Sequence, residues 1–278
     1  MQAARARGMR WGGLLLLVLA LAAVAWAAWR RAPDPDREPL VIGLLQAVSG
    51  PMARSEAAQG AAARLAVQEI NEAGGLLGRR VVLQVEDTRA DLRTAAAAAE
   101  RLITRERAVA LFGCGTVGCR QSVAPIVEAH RHLLFYPAAY EGMETSAHIV
   151  YAGPTPNQQA LPAVHWAMER FGRRVLLVGS DTTYSRRLAV VLRDFIPLTG
   201  GQVVGEASLP AGDAAPVSAA LRRFKPDVVV SHVCGDDNRA VFDRWVADGH
   251  ADLPLLSLCA AEPEMQAYEG GRLTRHFT

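Results

Sequence analysis

The chain has 278 residues, half of them hydrophobic, and a formal net charge of +2. That length can bury one large core or two modest ones, and the apolar content excludes a disordered chain. The near-neutral balance, with arginines dispersed along the chain, excludes an electrostatic case for nucleic acid.

Residues 1–38 stand apart from the fold. Arg5, Arg7 and Arg10 precede Trp11–Trp29, a stretch without a charge, and Arg30 and Arg31 follow it. As a helix that stretch is roughly 28 Å long, close to the thickness of a bilayer core. It reads in two ways. Ala23-Val24-Ala25 offers a small-x-small cleavage site, as in a removed signal peptide. Trp11, Trp26 and Trp29 lie near the two ends, as interfacial anchors of a retained signal anchor do. In both readings the rest of the chain is exported, to the periplasm or the outer face of the cytoplasmic membrane. Ala32–Pro39 is a charged linker broken by prolines.

From Leu40 onward short apolar runs alternate with longer amphipathic ones. Leu40–Gln46 is expected as a strand, and Ser55–Ala73 as an Ala-rich helix ended by Gly74-Gly75. Val81–Val85, Ala108–Cys114 and Leu133–Pro137 follow as strands, separated by helices over Leu92–Arg105 and Cys119–His130. A further strand ends at Gly153-Pro154. The pattern then restarts with a helix over Asn157–Phe171. Strands over Val175–Gly179, Gln202–Leu209, Asp227–His232 and Pro254–Leu258 alternate with helices over Ser185–Leu198, Pro216–Phe224 and Arg239–Asp248. Repeated strand–helix–strand units predict an α/β fold with parallel sheets flanked by helices. Two such units meet near Pro154, so we place one lobe at 39–153 and a second at 154–278.

Several strand ends carry chemistry. Gly113–Gly118 spells G-x-G-x-x-G between a strand and a helix. It is not a first βα turn, and the next strand ends in Tyr136-Pro137 without an acid, so the dinucleotide reading fails. The same glycines would let helix N-terminal amides approach a ligand oxygen, or would only make the turn. Tyr136, Tyr140 and Glu141 follow the next strand; Tyr136 is expected to face a ligand and Glu141 to serve the loop. Ser180 in Gly179-Ser180-Asp181 lacks the context of a nucleophile and is expected to cap the next helix. Asp236 is expected either to accept a ligand N–H or to cap a helix. His232 is expected as a crevice-wall histidine rather than a metal ligand. Cys114, Cys119, Cys234 and Cys259 have no zinc-like spacing. Free, semi-buried thiols are the expectation, since Cys114 and Cys119 could pair only if their turn brings the Cα atoms within about 7 Å.

The tract Leu133–Gln159, LLFYPAAYEGMETSAHIVYAGPTPNQQ, resembles the urea- and short-chain-amide-binding branch of the type 1 periplasmic binding proteins. There the segment reads YP-x-x-YEG followed by VY-x-G-x-x-PNQ. Leu45–Glu56 is similar to that family's opening loop, S-x-(S/T)-G-x-MA-x-SE, and Gly113–Pro125 to its GC-x-x-S-x-x-R-K-x-x-x-P pattern. The resemblance implies two lobes around a cleft, no catalysis and no metal or organic cofactor. It implies a small amide-like or urea-like polar solute handed to the membrane subunits of an ABC permease. A membrane-anchored sensing module reporting to a signalling partner is the alternative, and an exported amide hydrolase is a third reading. The ligand-binding positions it implies are Gly115, Thr116, Val117, Tyr136, Ala138, Thr182, Tyr184 and Asp236, with Glu262 as a weaker candidate at the rim and Ser49 as one that makes a turn, caps or lines the first-lobe crevice. The family's serine falls on Val117, its frequent aromatic on Gly115 and its threonine on Ala138, departures that point to a larger or more apolar ligand. The resemblance further implies a chain that stops at the expected second crossover, short of a complete family member.

Overall fold

The computed structural model describes residues 19–22, 37–210, 212–260, 262–267 and 275–278. Among the described residues no helix is long and apolar enough to cross a membrane. The stretch read as signal peptide or anchor lies, except for 19–22, outside the described residues.

Two five-stranded sheets follow one another along the chain. The first has the order β2-β1-β3-β4-β5, formed by β1 (Leu40–Gln46), β2 (Val81–Asp87), β3 (Ala110–Gly113), β4 (Leu134–Tyr136) and β5 (Ile149–Tyr151). Its helices are α1 (Ala53–Glu72), α2 (Leu92–Thr104) and α3 (Val117–Ala129). The second has the order β10-β9-β8-β6-β7, formed by β6 (Arg174–Ser180), β7 (Gln202–Leu209), β8 (Val228–His232), β9 (Leu255–Ser257) and β10 (His276–Phe277). Its helices are α4 (Ala160–Phe171), α5 (Thr183–Leu198), α6 (Ala215–Phe224), α7 (Asp237–Ala247) and α8 (Glu262–Ala267). β3–β4–β5 and all the neighbours in the second sheet pair in parallel. This is the α/β class expected from the alternation of apolar runs.

By its contacts the chain divides into two compact units. The larger comprises 43–61 with 84–278, and the smaller comprises the described residues up to Ile42 with 62–83. In the smaller unit the Asn71 side chain closes the turn after α1, donating to Val81 O at 2.9 Å and accepting from Val81 N at 2.8 Å. Gly75 sits there at φ +72°, and a Cβ on it would lie 2.1 Å from Arg79 O, so no side chain fits this turn.

The second sheet explains its own sequence. Strands covered on both faces must be apolar nearly throughout. β6 is buried from Val175 to Ser180, and all five residues of β8 are buried. Alternate residues take opposite faces. Val175, Leu177, Val228 and Val230 pack on Val164 and Met168 of α4 and on Leu188, Leu192 and Ile196 of α5. Leu176, Val178 and Val229 pack on Val217 and Leu221 of α6 and on Phe242 and Trp245 of α7. In the first sheet's segment, α2 buries Ala95, Ala98, Ala99 and Leu102, one helical stripe. Asp91 starts that helix by accepting from Thr94 N at 2.8 Å.

Element ends differ from expectation where side chains decide them. α4 begins at Ala160, three residues later than expected, because Thr155–Gln159 form a turn in which Gln158 Oε1 accepts from Thr155 N at 2.9 Å. α3 begins at Val117, two residues early, because Thr116 caps it.

Replacing Leu192, which has no exposed surface, by Ala is expected to cost about 2–5 kcal/mol in urea unfolding, with an unchanged denaturant slope. A loss under 1 kcal/mol would show that this face is loosely packed.

Candidate functional site

Parallel strands end at one edge of their sheet, and the loops that leave them form natural ligand crevices. The loops after β3, β4, β5, β6, β8 and β9, with the first turns of α1, line one cavity of about 430 Å³. Every lining residue belongs to the larger unit.

The β3–α3 loop is shaped by close backbone contact. Gly113 has φ +110°, and a Cβ there would lie 2.1 Å from Leu45 O. Cys114 N donates to that same carbonyl at 2.9 Å. Thr116 Oγ1 accepts from Cys119 N at 3.1 Å, which starts α3 and orients the loop's amides. Glu56, in the first turn of α1, reaches the same place. Its Oε2 accepts from Ala47 N at 2.6 Å, and the main-chain oxygen of Glu56 accepts from Gln46 Nε2 at 3.0 Å. Burial raises the Glu56 pKa; the Ala47 N–H opposes the rise, and the charge of Asp87 adds to it.

The β4–β5 loop is built around a buried cation. The Arg120 side chain has no exposed surface. Its guanidinium lies 4.7 Å from the centre of the Tyr136 ring, 5.0 Å from Tyr140 and 5.7 Å from Tyr151. Nη2 donates to Glu141 Oε1 at 2.9 Å and Nε donates to Glu144 Oε1 at 2.7 Å. Burial works against its charge, but the bonds from Glu144 and Glu141 outweigh it and hold its pKa above the usual arginine value. Glu141 also pairs with Arg187 of α5. Tyr136 OH donates to Ala139 O at 3.1 Å, and burial raises its pKa.

On the α5 side, Thr182 Oγ1 accepts from Ser185 N at 3.2 Å and caps the helix. Tyr184 lines the cavity beside it, its pKa pushed up to about 12 by burial and by Glu141. Cys234 and Cys259 line the cavity too. They form a disulfide with Cα atoms 4.9 Å apart, and Cys114–Cys119 form another with Cα atoms 5.3 Å apart. The expectation of free thiols is therefore corrected. The β3–α3 turn brings one pair within bonding range, and the parallel register of β8 and β9 aligns the loops that carry the other.

Of the residues expected to contact a ligand, Gly115, Thr116, Val117, Tyr136, Ala138, Thr182 and Tyr184 lie together on the cavity wall. Three others lie elsewhere. Gly235 lines the cavity, while the neighbouring Asp236 carboxylate faces Arg54 at 3.7 Å across exposed surface. Ser49 donates to Asp87 Oδ2 at 2.6 Å and holds its own loop. Glu262 is exposed at the start of α8, and Glu264, bonded to Ser55, lines the cavity instead. Ser180 does not cap α5; Thr182 does, and Ser180 Oγ accepts a long bond from Cys234 N at 3.4 Å. Glu141 takes the loop-stabilising role expected of it. Sequence reasoning missed Glu56, Gln59 and Gln159 as lining residues. Glu56 belongs to the Ser55-Glu56 pair of the opening-loop motif, which does not by itself tell a cavity-facing acid from one in a helix's first turn.

Among the described residues no group of three His, Cys, Asp or Glu side chains could hold a metal ion. A second cavity of about 440 Å³ lies between α5 and β6–β7, lined in part by Ser185, Arg193, Glu206 and His232. Ser185 Oγ and His232 Nδ1 are 2.5 Å apart, and both residues are buried. Burial lowers the His232 pKa to about 4, against the pull of Glu206.

Residues 40–278 match the sequence profile of the family described as "Periplasmic binding protein domain". A Leu/Ile/Val-binding protein, BraC3, of Rhizobium johnstonii is 26% identical over 196 residues, covering 68% of this chain and 53% of its own. The chain thus spans about half the length of that relative. Among solved structures, a benzoate complex of an R. palustris solute binding protein superposes with a TM-score of 0.75 at 19% identity, covering 84% of this chain and 66% of its own. The Streptococcus pneumoniae branched-chain amino acid transporter substrate binding protein LivJ, in complex with isoleucine, gives 0.74 at 21% identity, covering 83% and 68%. At these identities the structures show a shared fold.

Two outcomes are expected. Thiol titration in denaturant without reductant should find no reactive cysteine; four reactive thiols would refute both bridges. The His232 pKa lies below the ordinary 6.5, so the unfolded chain binds the extra proton and stability falls as pH drops from 6.5 toward 4. Between pH 7.5 and 5 the wild type should lose about 2 kcal/mol more than His232→Asn. Equal losses would show that His232 is not buried neutral.

Proposed function

Because the chain belongs to the periplasmic binding protein domain family, we propose that it is an extracytoplasmic solute-binding receptor. It captures a small amide-like or urea-like polar solute and delivers it to the membrane subunits of an ABC permease. One observation carries this reading. Tyr136 and Tyr184, with Thr116 and Thr182, come from strand ends of both sheets and line one cavity of about 430 Å³. Such a cavity encloses a small solute between aromatic faces, with few polar groups to orient it. Ala138 and Val117 add wall surface without hydroxyls and leave room for more than urea itself.

In this reading the lobes, 39–153 and 154–278, close on the solute by hinge motion and carry out no bond-making or breaking. The relatives support solutes of this size, since one is named for leucine, isoleucine and valine and solved neighbours hold isoleucine and benzoate. A second reading keeps the same cavity and uses it as a membrane-anchored sensor for a signalling partner. The uncharged Trp11–Trp29 stretch favours it if retained, and a mature N-terminus at Trp26 argues against it.

Thermal-shift screening of the purified protein against urea, short amides, amino acids and polyamines tests the receptor reading. A solute at a hundred times its Kd should stabilise by about 2.7 kcal/mol. Tyr184→Ala should abolish that shift while the unliganded melting point stays within several degrees. No shift with any solute would reject the receptor reading, and a full shift in Tyr184→Ala would reject the cavity as its site.

A further inference from the structure

Gly115 faces the cavity without a side chain, and Glu56 takes the space. A Cβ on Gly115 would lie 2.3 Å from Glu56 Oε1, 2.5 Å from its Cδ and 2.7 Å from its Cγ. No L side chain fits at 115 while Glu56 holds this position, so the glycine and the carboxyl group form one device. Glu56 is 4% exposed and lines the cavity. Its Oε2 is engaged by Ala47 N at 2.6 Å, which directs Oε1 to the Gly115 side. The carboxyl is thus fixed at one end and presented at the other.

The rest of the wall does not neutralise it. Among the described residues lining the cavity there is no Arg, Lys or His, and the other acid, Glu264, bonds Ser55. Arg120 and Arg187 are committed to Glu141 and Glu144. A desolvated carboxyl with no cation beside it attracts N–H donors and repels a second carboxylate, and poor screening strengthens both effects. The raised Glu56 pKa agrees with burial of this kind.

We propose that Glu56, made room for by Gly115, determines the specificity of the cavity: it receives the nitrogen end of the solute, selecting small planar amidines, amines and amides over carboxylates. This rests on the receptor reading and narrows it. A cationic amidinium brings a positive charge and N–H donors to the presented Oε1, a neutral amide brings donors without the charge, and a carboxylate brings neither.

The test is isothermal titration of the full chain with benzamidine, benzamide and benzoate, which share a ring and differ only in the end group. Wild type is expected to bind benzamidine at least tenfold more tightly than benzoate, with benzamide between them. Glu56→Gln, isosteric with the native side chain, is expected to bring the benzamidine and benzoate affinities within about threefold of each other. Benzoate binding as tightly as benzamidine in wild type overturns the proposal without recourse to a variant and leaves the receptor reading standing. An unchanged ratio in a folded Glu56→Gln protein, verified by circular dichroism, overturns the role of Glu56. If none of the three binds while another solute in the thermal screen does, the proposal falls alone. If nothing binds, both readings fall.

Discussion

A guanidinium with no access to water organises the wall of this cavity. Removing Arg120 from solvent costs several kcal/mol unless its charge is met and its donors are satisfied. Glu141 and Glu144 meet the charge, three tyrosine rings lie against the guanidinium, and Nη1 is left without a hydrogen-bond partner. The consequences spread along the chain. Glu141 and Glu144 order the loop after β4, and the stack of Tyr140 on Tyr151, with centres 4.3 Å apart, clamps that loop to β5. Tyr136 is held by the same guanidinium from one side and by Ala139 O from the other. Through the Glu141–Arg187 pair the network reaches α5, which Thr182 caps and whose first turn carries Tyr184.

The lining loops are fixed by local chemistry that leaves few polar groups to spare. Thr116 and Thr182 both spend a lone pair on a helix amide, yet both still line the cavity. A cap in this place does double duty, because a helix that starts at a strand end points its first amides toward the crevice. Two disulfides hold the neighbouring loops, and two of the four cysteines are themselves lining residues. Each bridge limits the freedom of the loops it joins.

Glu56 shows how a site residue escapes a sequence reading. Nothing in Ser55-Glu56 distinguishes an acid in the first turn of a helix, where it is favoured by the dipole, from an acid facing a cavity. Its role follows from three facts that are far apart in the chain: Ala47 N–H binds it, Gly115 leaves space for it, and burial dries it. Asp236 is the opposite case. Its position after a crevice strand suggested a cavity acceptor, but Gly235 at φ +72° turns the chain there, and the carboxylate ends up near Arg54.

By itself the sequence determined the alternation of strands and helices, the parallel sheets and the strand ends whose loops line the cavity. These follow from periodicity, turn residues and apolar runs, all of which act over a few neighbouring residues. It also marked Tyr136 and the glycine loop, because strand-to-loop transitions are local, while Tyr184 was implied by the family resemblance alone. Only the tertiary structure decided which acid faces the cavity, which cysteines pair and which hydroxyl caps which helix. Those outcomes depend on distances between residues such as Glu56 and Gly115 or Cys234 and Cys259. Such distances come from the packing of whole elements, which no local pattern encodes.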